Sequence, residues 1–118
     1  MDIRRKTFVA ETTDRFSFLL HEHGFAEPQT VQHGEFPMLL TVIYHRADLD
    51  VEVSLVLSYA GEEHIDTSVA ATGTDSSVGR TEVGSDTART GFQMRKALDR
   101  QAQALSQRLT HQQSKESE

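Results

Sequence analysis

The sequence predicts an α+β fold with an N-terminal helix, a four-stranded antiparallel β-meander and a C-terminal helix. Near both ends of the chain apolar residues recur every three or four positions, whereas in the middle they alternate with polar residues. With 118 residues, of which 36% are hydrophobic, the chain is long enough for one hydrophobic core and too short for two. We therefore expect one domain over residues 1–110 and a polar tail over 111–118.

The first helix is predicted to begin near Thr7 or Thr13, since either threonine can cap it, and to end at His23. Gly24 then supplies the left-handed residue that commonly stops a helix. One apolar stripe is formed by Phe8, Val9, Phe16, Leu19 and Leu20.

Four strands are predicted after this helix. Pro28 keeps the first away from the centre of the sheet, because proline cannot donate a ladder hydrogen bond. The second strand is apolar on both faces, and the third and fourth alternate as half-buried strands do. The predicted strands span residues 25–32, 38–44, 51–59 and 65–71.

Two predicted hairpins define the meander. A short loop over 61–63 would pair Tyr59 with Ile65 and Leu55 with Val69. A four-residue loop over 47–50 would pair Tyr44 with Val53. Both registers keep the apolar side chains on one face of the sheet.

The segment 72–85 is rich in Gly, Ser, Thr and Asp and predicts a long flexible loop, with room for a short strand at 81–83. A second helix is predicted from Ser85 or Asp86 to about Thr110. Its narrow apolar stripe would cover one face of the sheet or pair with a second copy in a homodimer. The stripe contains Met94, Leu98, Leu105 and Leu109.

Charge is distributed unevenly along the chain, whose net charge is −6. Residues 11–66 contain eleven acids and two bases, whereas residues 80–110 contain six bases and three acids. An acidic body repels phosphate backbones and attracts basic surfaces, so nucleic-acid binding is disfavoured and a basic protein partner is expected.

Several kinds of site have no support in the sequence. The absence of cysteine excludes disulfides, a cysteine nucleophile and thiolate zinc sites. The six histidines do not follow a metal-ligand spacing, and no Gly-x-Ser-x-Gly or phosphate-loop motif occurs. We therefore expect a cytoplasmic protein without a membrane-spanning segment and predict no catalytic, metal or cofactor-binding residue.

Acidic residues at the turns and on the polar face of the meander are the predicted partner-binding site. Carboxylates at such positions accelerate and orient the capture of a basic protein surface. The candidate residues are Asp48, Asp50, Glu52, Glu62, Glu63 and Asp66.

A ligand pocket between the sheet and the loop 72–85 is the alternative hypothesis. Tyr44, Tyr59 and His64 would be its polar contacts, and the protein would then bind a small molecule or act as a small enzyme.

The run Phe16-Ser17-Phe18-Leu19-Leu20 followed by Gly24-Phe25, the strand ending at Tyr44-His45 and the hairpins after it resemble small uncharacterised bacterial proteins over residues 8–71. Several of those proteins resemble immunity proteins of polymorphic-toxin systems or small secretion-chaperone-like domains. The resemblance implies a non-enzymatic protein-binding module and assigns no functional residue.

Overall fold

The computed structural model describes residues 2–34, 38–57, 63–71 and 80–116, with side chains described between residues 5 and 110. Its strands form one antiparallel sheet in the order β1-β2-β3-β4-β5, so each strand pairs with its neighbours along the chain. This arrangement confirms the α+β class with a helix at each end. The elements are α1 (Asp2–Arg15), α2 (Phe18–Glu22), β1 (Gln29–His33), β2 (Met38–His45), β3 (Leu49–Leu57), β4 (Glu63–Ala71), β5 (Thr81–Thr87) and α3 (Gly91–Glu116).

The sheet has five strands and not the predicted four. β5 occupies part of the segment 72–85 that was predicted to be a loop, of which residues 72–79 lie outside the described ranges. The predicted helix start at Ser85 or Asp86 is also wrong, because both residues belong to β5. The helix begins at Gly91, where the Thr90 hydroxyl accepts a hydrogen bond from the Gln93 N–H at 3.1 Å and acts as its cap.

Gln101 of α3 ties β5 to the body of the protein. Its side-chain amide donates to the Ile65 carbonyl at 2.8 Å and to the Asp86 carboxylate at 3.0 Å. Its carbonyl accepts from the Thr67 hydroxyl at 2.6 Å. Gly84 makes room for this side chain, because a Cβ at position 84 would lie 2.8 Å from the Gln101 Cγ. β5 has few apolar side chains, so these hydrogen bonds supply stabilisation that apolar packing of the strand could not.

The N-terminal helical segment is longer than predicted and is broken in two. α1 begins at Asp2 and ends at Arg15, and α2 follows at Phe18. At the break the Ser17 hydroxyl donates to the Asp14 carbonyl at 2.9 Å, a local bond that competes with helix continuation. The predicted stop is confirmed, since Gly24 has a φ of 75°.

Both predicted hairpin registers are wrong by an even number of residues. Leu55 pairs with Ile65 instead of Val69, and Tyr44 pairs with Val51 instead of Val53. Tyr59, the predicted partner of Ile65, lies outside the described ranges. Even shifts leave each side chain on its predicted face, so the apolar face was correct although the pairs were not.

The helices cover one face of the sheet, and the core lies between them. Burying one large apolar side chain stabilises a fold by roughly 1.5–3 kcal/mol, so this layer holds the domain together. The predicted apolar stripe of α3 is buried in this core, within a single copy of the chain. The largest fully buried apolar residues include Phe8, Phe16, Leu19, Leu40, Tyr44, Leu55, Ile65, Met94, Leu98 and Leu105.

α1 and α3 run in the same direction and are joined by charged side chains. Arg15 pairs with Glu11 and Asp99, and the Arg95 Nε lies 3.1 Å from the Glu11 carboxylate. Hydrogen bonds from Arg15 and Arg95 hold the pKa of the Glu11 carboxyl below its usual value. Part of the charge of the acidic segment 11–66 is therefore neutralised by the basic segment 80–110 within one molecule.

Candidate functional site

The sheet face opposite the helices, here termed the open face, carries no helix among the described residues. On β3, Val53 and Leu55 point into the core and are fully buried, whereas Glu52, Ser54 and Val56 point to the open face and are half-buried. Four acids and one arginine reach this face from the described residues, so it is acidic when its histidines are neutral. These charged residues are Asp50, Glu52, Asp66, Arg80 and Glu82.

A depression of about 330 Å³ lies on the open face. Leu39 and Val56 give it an apolar part, and Leu39 is 38% exposed, which is high for a leucine on a central strand. Polar and charged side chains surround this apolar part. The full lining is Leu39, Glu52, Ser54, Val56, Asp66, Ser68, Arg80 and Glu82.

Arg80 organises one side of the depression. Its Nη2 lies 3.0 Å from the Glu52 carboxylate, and its Nη1 donates to the Ser68 hydroxyl at 2.8 Å. Glu52 is therefore neutralised locally, whereas Glu82 forms no ion pair within the described residues. Sequence reasoning missed Arg80 and Glu82 as site residues, although the short strand it allowed at 81–83 lies within β5 and contains Glu82. Arg80 directly precedes that strand, and no local pattern marked it as a site residue.

Asp66 lies at the centre of a cross-strand cluster on β4 and β5. The Ser85 hydroxyl donates to one carboxylate oxygen, and the His64 Nε2 lies 3.4 Å from the other. His64 and Asp66 lie on the same face of β4. In the Ser-His-Asp triad the histidine lies between the serine and the carboxylate. Here the carboxylate lies between Ser85 and His64, so the cluster does not have the order of that triad.

The predicted acidic residues do not form one cluster. Glu52 and Asp66 line the depression. Asp50 is also on the open face, with its carboxylate 2.8 Å from the His45 Nδ1. Glu63 begins β4 on the same side as Ile65, the helix side. Glu62 lies outside the described ranges.

Asp48 lies in the turn between β2 and β3, away from the depression. Arg46 binds it through two hydrogen bonds of 2.6 and 3.1 Å. These bonds lower the pKa of the Asp48 carboxyl. The Asp48 carboxylate is thus already paired with Arg46, a residue of the same turn, in the free protein.

The alternative pocket is not assembled by the described residues. Tyr44 is fully buried on the helix side, with its ring 6.3 Å from that of Phe16, and burial raises the pKa of its phenol. His64 lies on the open face, so the sheet itself separates these two predicted contacts. Their third partner, Tyr59, and the loop residues 72–79 fall outside the described ranges.

Comparisons with known proteins point to no function, so only the geometry of the molecule bears on it. The chain matches no protein-family model, no curated protein and no solved structure. Across the described ranges, no three His, Asp or Glu side chains are grouped closely enough to hold a metal ion. No helix among those residues combines the length and apolar character needed to cross a bilayer.

Proposed function

We propose that this protein is a non-enzymatic, cytoplasmic protein-binding module whose open face binds a basic protein surface, in the manner of an immunity protein or a secretion chaperone. The observation that carries the proposal is the depression on this face, where exposed Leu39 adjoins Val56 and carboxylates surround both. A small apolar centre inside a charged rim is the arrangement typical of protein interfaces.

The chemistry of the depression favours a lysine or arginine side chain of the partner. The aliphatic stem of such a side chain would pack on Leu39 and Val56, while its cationic head would meet Asp66 and Glu82. Because Ser85 already holds the Asp66 carboxylate, little conformational freedom remains to be lost on binding. The surrounding negative charge would raise the association rate at low salt.

A charge-neutralisation experiment tests this proposal. The variant Asp66→Asn with Glu82→Gln removes two charges from the depression and preserves side-chain size. The control, Glu22→Gln with Glu27→Gln, removes two charges from exposed positions outside the depression. Each protein is immobilised and used to capture partners from host lysate at low and high salt, and the captured protein is purified and titrated by calorimetry.

We expect a basic partner whose affinity falls about tenfold or more with the depression variant and with added salt, but not with the control variant. Equal losses in both variants would assign the effect to net charge rather than to the depression. Failure to capture a salt-sensitive basic partner would contradict the proposal.

A further inference from the structure

A second concave surface lies on the helix side of the sheet, between α1 and the edge formed by β1 and β2. Its volume is about 580 Å³. It is termed the edge groove, and its lining consists of Arg5, Lys6, Val9, Ala10, Thr30 and Leu40.

The groove exists because α1 does not cover the sheet as far as its first strand. Leu40 on β2 is buried beneath the helix, whereas Thr30 on β1 is exposed on the same side of the sheet. β1 is the last strand on this side, so no further strand extends the sheet there. Apolar groups of Val9 and Ala10 are thus left beside a channel open to solvent, and the buried Leu40 lies at its base.

Charge distinguishes this groove from the open face. Arg5 and Lys6 are exposed at its rim, and neither forms an ion pair within the described residues. Glu11, the acid that follows them on α1, is engaged by Arg15 and Arg95. Among the described residues no carboxylate lines the groove, so two cationic groups adjoin its apolar part.

We propose that the edge groove binds an anionic amphiphile, namely a free medium-chain fatty acid. The acyl chain lies against Val9 and Ala10, above the buried Leu40, and the carboxylate is held by Arg5 and Lys6. The volume lies within the range of small-ligand sites. From Arg5 to Ala10 the helix rises by about 8 Å, which suits a single extended chain better than a helix of a partner protein. The site is on the opposite side of the sheet from the depression, so it does not depend on the proposed function.

Calorimetric titration of the full chain tests the proposal, with decanoate and octanoate below their critical micelle concentrations and octanol below its solubility limit. Arg5→Gln with Lys6→Gln removes the cationic rim, and Ala10→Phe fills the groove from an exposed helix position. Lys96→Gln with Arg108→Gln is the matched control on α3, where both residues are exposed and outside the groove. Amide chemical shifts in NMR spectra locate the bound ligand.

We expect decanoate to bind more tightly than octanoate by about threefold to fourfold per CH₂ group, and octanoate to bind at least tenfold more tightly than octanol. The rim variant should lose about tenfold in affinity and Ala10→Phe should lose detectable binding, whereas the control should bind like the wild type. Absence of decanoate binding, equal affinity for octanol, undiminished binding to Ala10→Phe or chemical-shift changes away from positions 5–10, 30 and 40 would each overturn the proposal.

Discussion

At each edge of the sheet a long polar side chain bonds to the edge segment, and the two side chains differ in chemistry. At the β5 edge the neutral side chain of Gln101 is 1% exposed and makes three hydrogen bonds. At the β1 edge the charged side chain of Arg46 is 22% exposed and reaches the chain that leads into β1. The comparison shows that a sheet edge with few apolar residues is stabilised by bonds from another element.

The Arg46 contacts combine three weaker interactions. Its Nη1 donates to the His23 carbonyl at 2.9 Å, its guanidinium lies 4.7 Å from the centre of the Phe25 ring, and it binds Asp48. Each interaction is partly exposed to water and to salt. In contrast, water does not compete for the bonds of Gln101, so that network is stronger and costs more to disrupt.

The largest effect is expected from Gln101→Leu. This substitution leaves the Thr67 hydroxyl and the Ile65 carbonyl without their side-chain partner, which should lower the free energy of unfolding by about 2–3 kcal/mol. Urea unfolding measures the change. Gln103→Leu, at an exposed position on the same helix, should change it by less than about 0.5 kcal/mol. Similar losses in the two variants would contradict a special role for Gln101.

Gly84→Ala should destabilise the protein by about 1–2 kcal/mol, because the new Cβ would lie 2.8 Å from the Gln101 Cγ. In a Gln101→Ala background the same change should cost much less, since the obstructing atom is absent. The double-mutant cycle measures this coupling, and a coupling energy near zero would show that Gly84 is not required by Gln101.

Arg46→Met should lower stability by about 1 kcal/mol at low salt through loss of its bonds to His23 and Asp48. The difference from wild type should shrink as salt is added, whereas the Gln101→Leu difference should not. Arg108→Met, at an exposed position of α3, is the control. Equal salt dependence at the two edges would remove the distinction between them.

The smallest effect concerns His23, which is buried and packs edge-on against the Phe18 ring at 5.8 Å. Burial lowers the pKa of its imidazole below the ordinary value, so the unfolded chain takes up a proton at a higher pH than the folded protein does. Stability should therefore fall as the pH decreases from about 7.5 through 6.5 toward 5.5, with a smaller fall in His23→Gln. Unfolding titrations at each pH test this, with the exposed His21→Gln as control, and an unchanged pH profile in His23→Gln would disprove it.

Local pattern was sufficient for the elements whose stabilisation is local. The stop at Gly24 and the faces of β3 and β4 follow from backbone conformation and alternation, and the structure has both. Alternation does not define which residues pair between neighbouring strands, because a register shift of two or four residues buries the same face.

The parts that sequence reasoning missed depend on residues far apart in the chain. β5 has little apolar content, and Gln101, a residue typical of a solvated helix face, adds a side-chain bond to the backbone pairing of β5 with β4. The depression likewise joins Leu39 on β2 to Arg80, which precedes β5, and neither residue signals the other in the sequence. The edge groove arises because α1 does not extend over β1. This depends on how the helix packs on the sheet, which local sequence does not define.

The sequential strand order also bears on how fast the protein folds. Every strand pairs with a neighbour in the chain, so the sheet can grow hairpin by hairpin with little loop-closure entropy. The contact of Arg15 with Asp99 instead spans 84 residues. We expect the hairpins to be formed in the transition state for folding and the pairing of α1 with α3 to follow. Asp99→Ala should then accelerate unfolding and leave the refolding rate unchanged in stopped-flow experiments, whereas slower refolding would place this pairing in the folding nucleus.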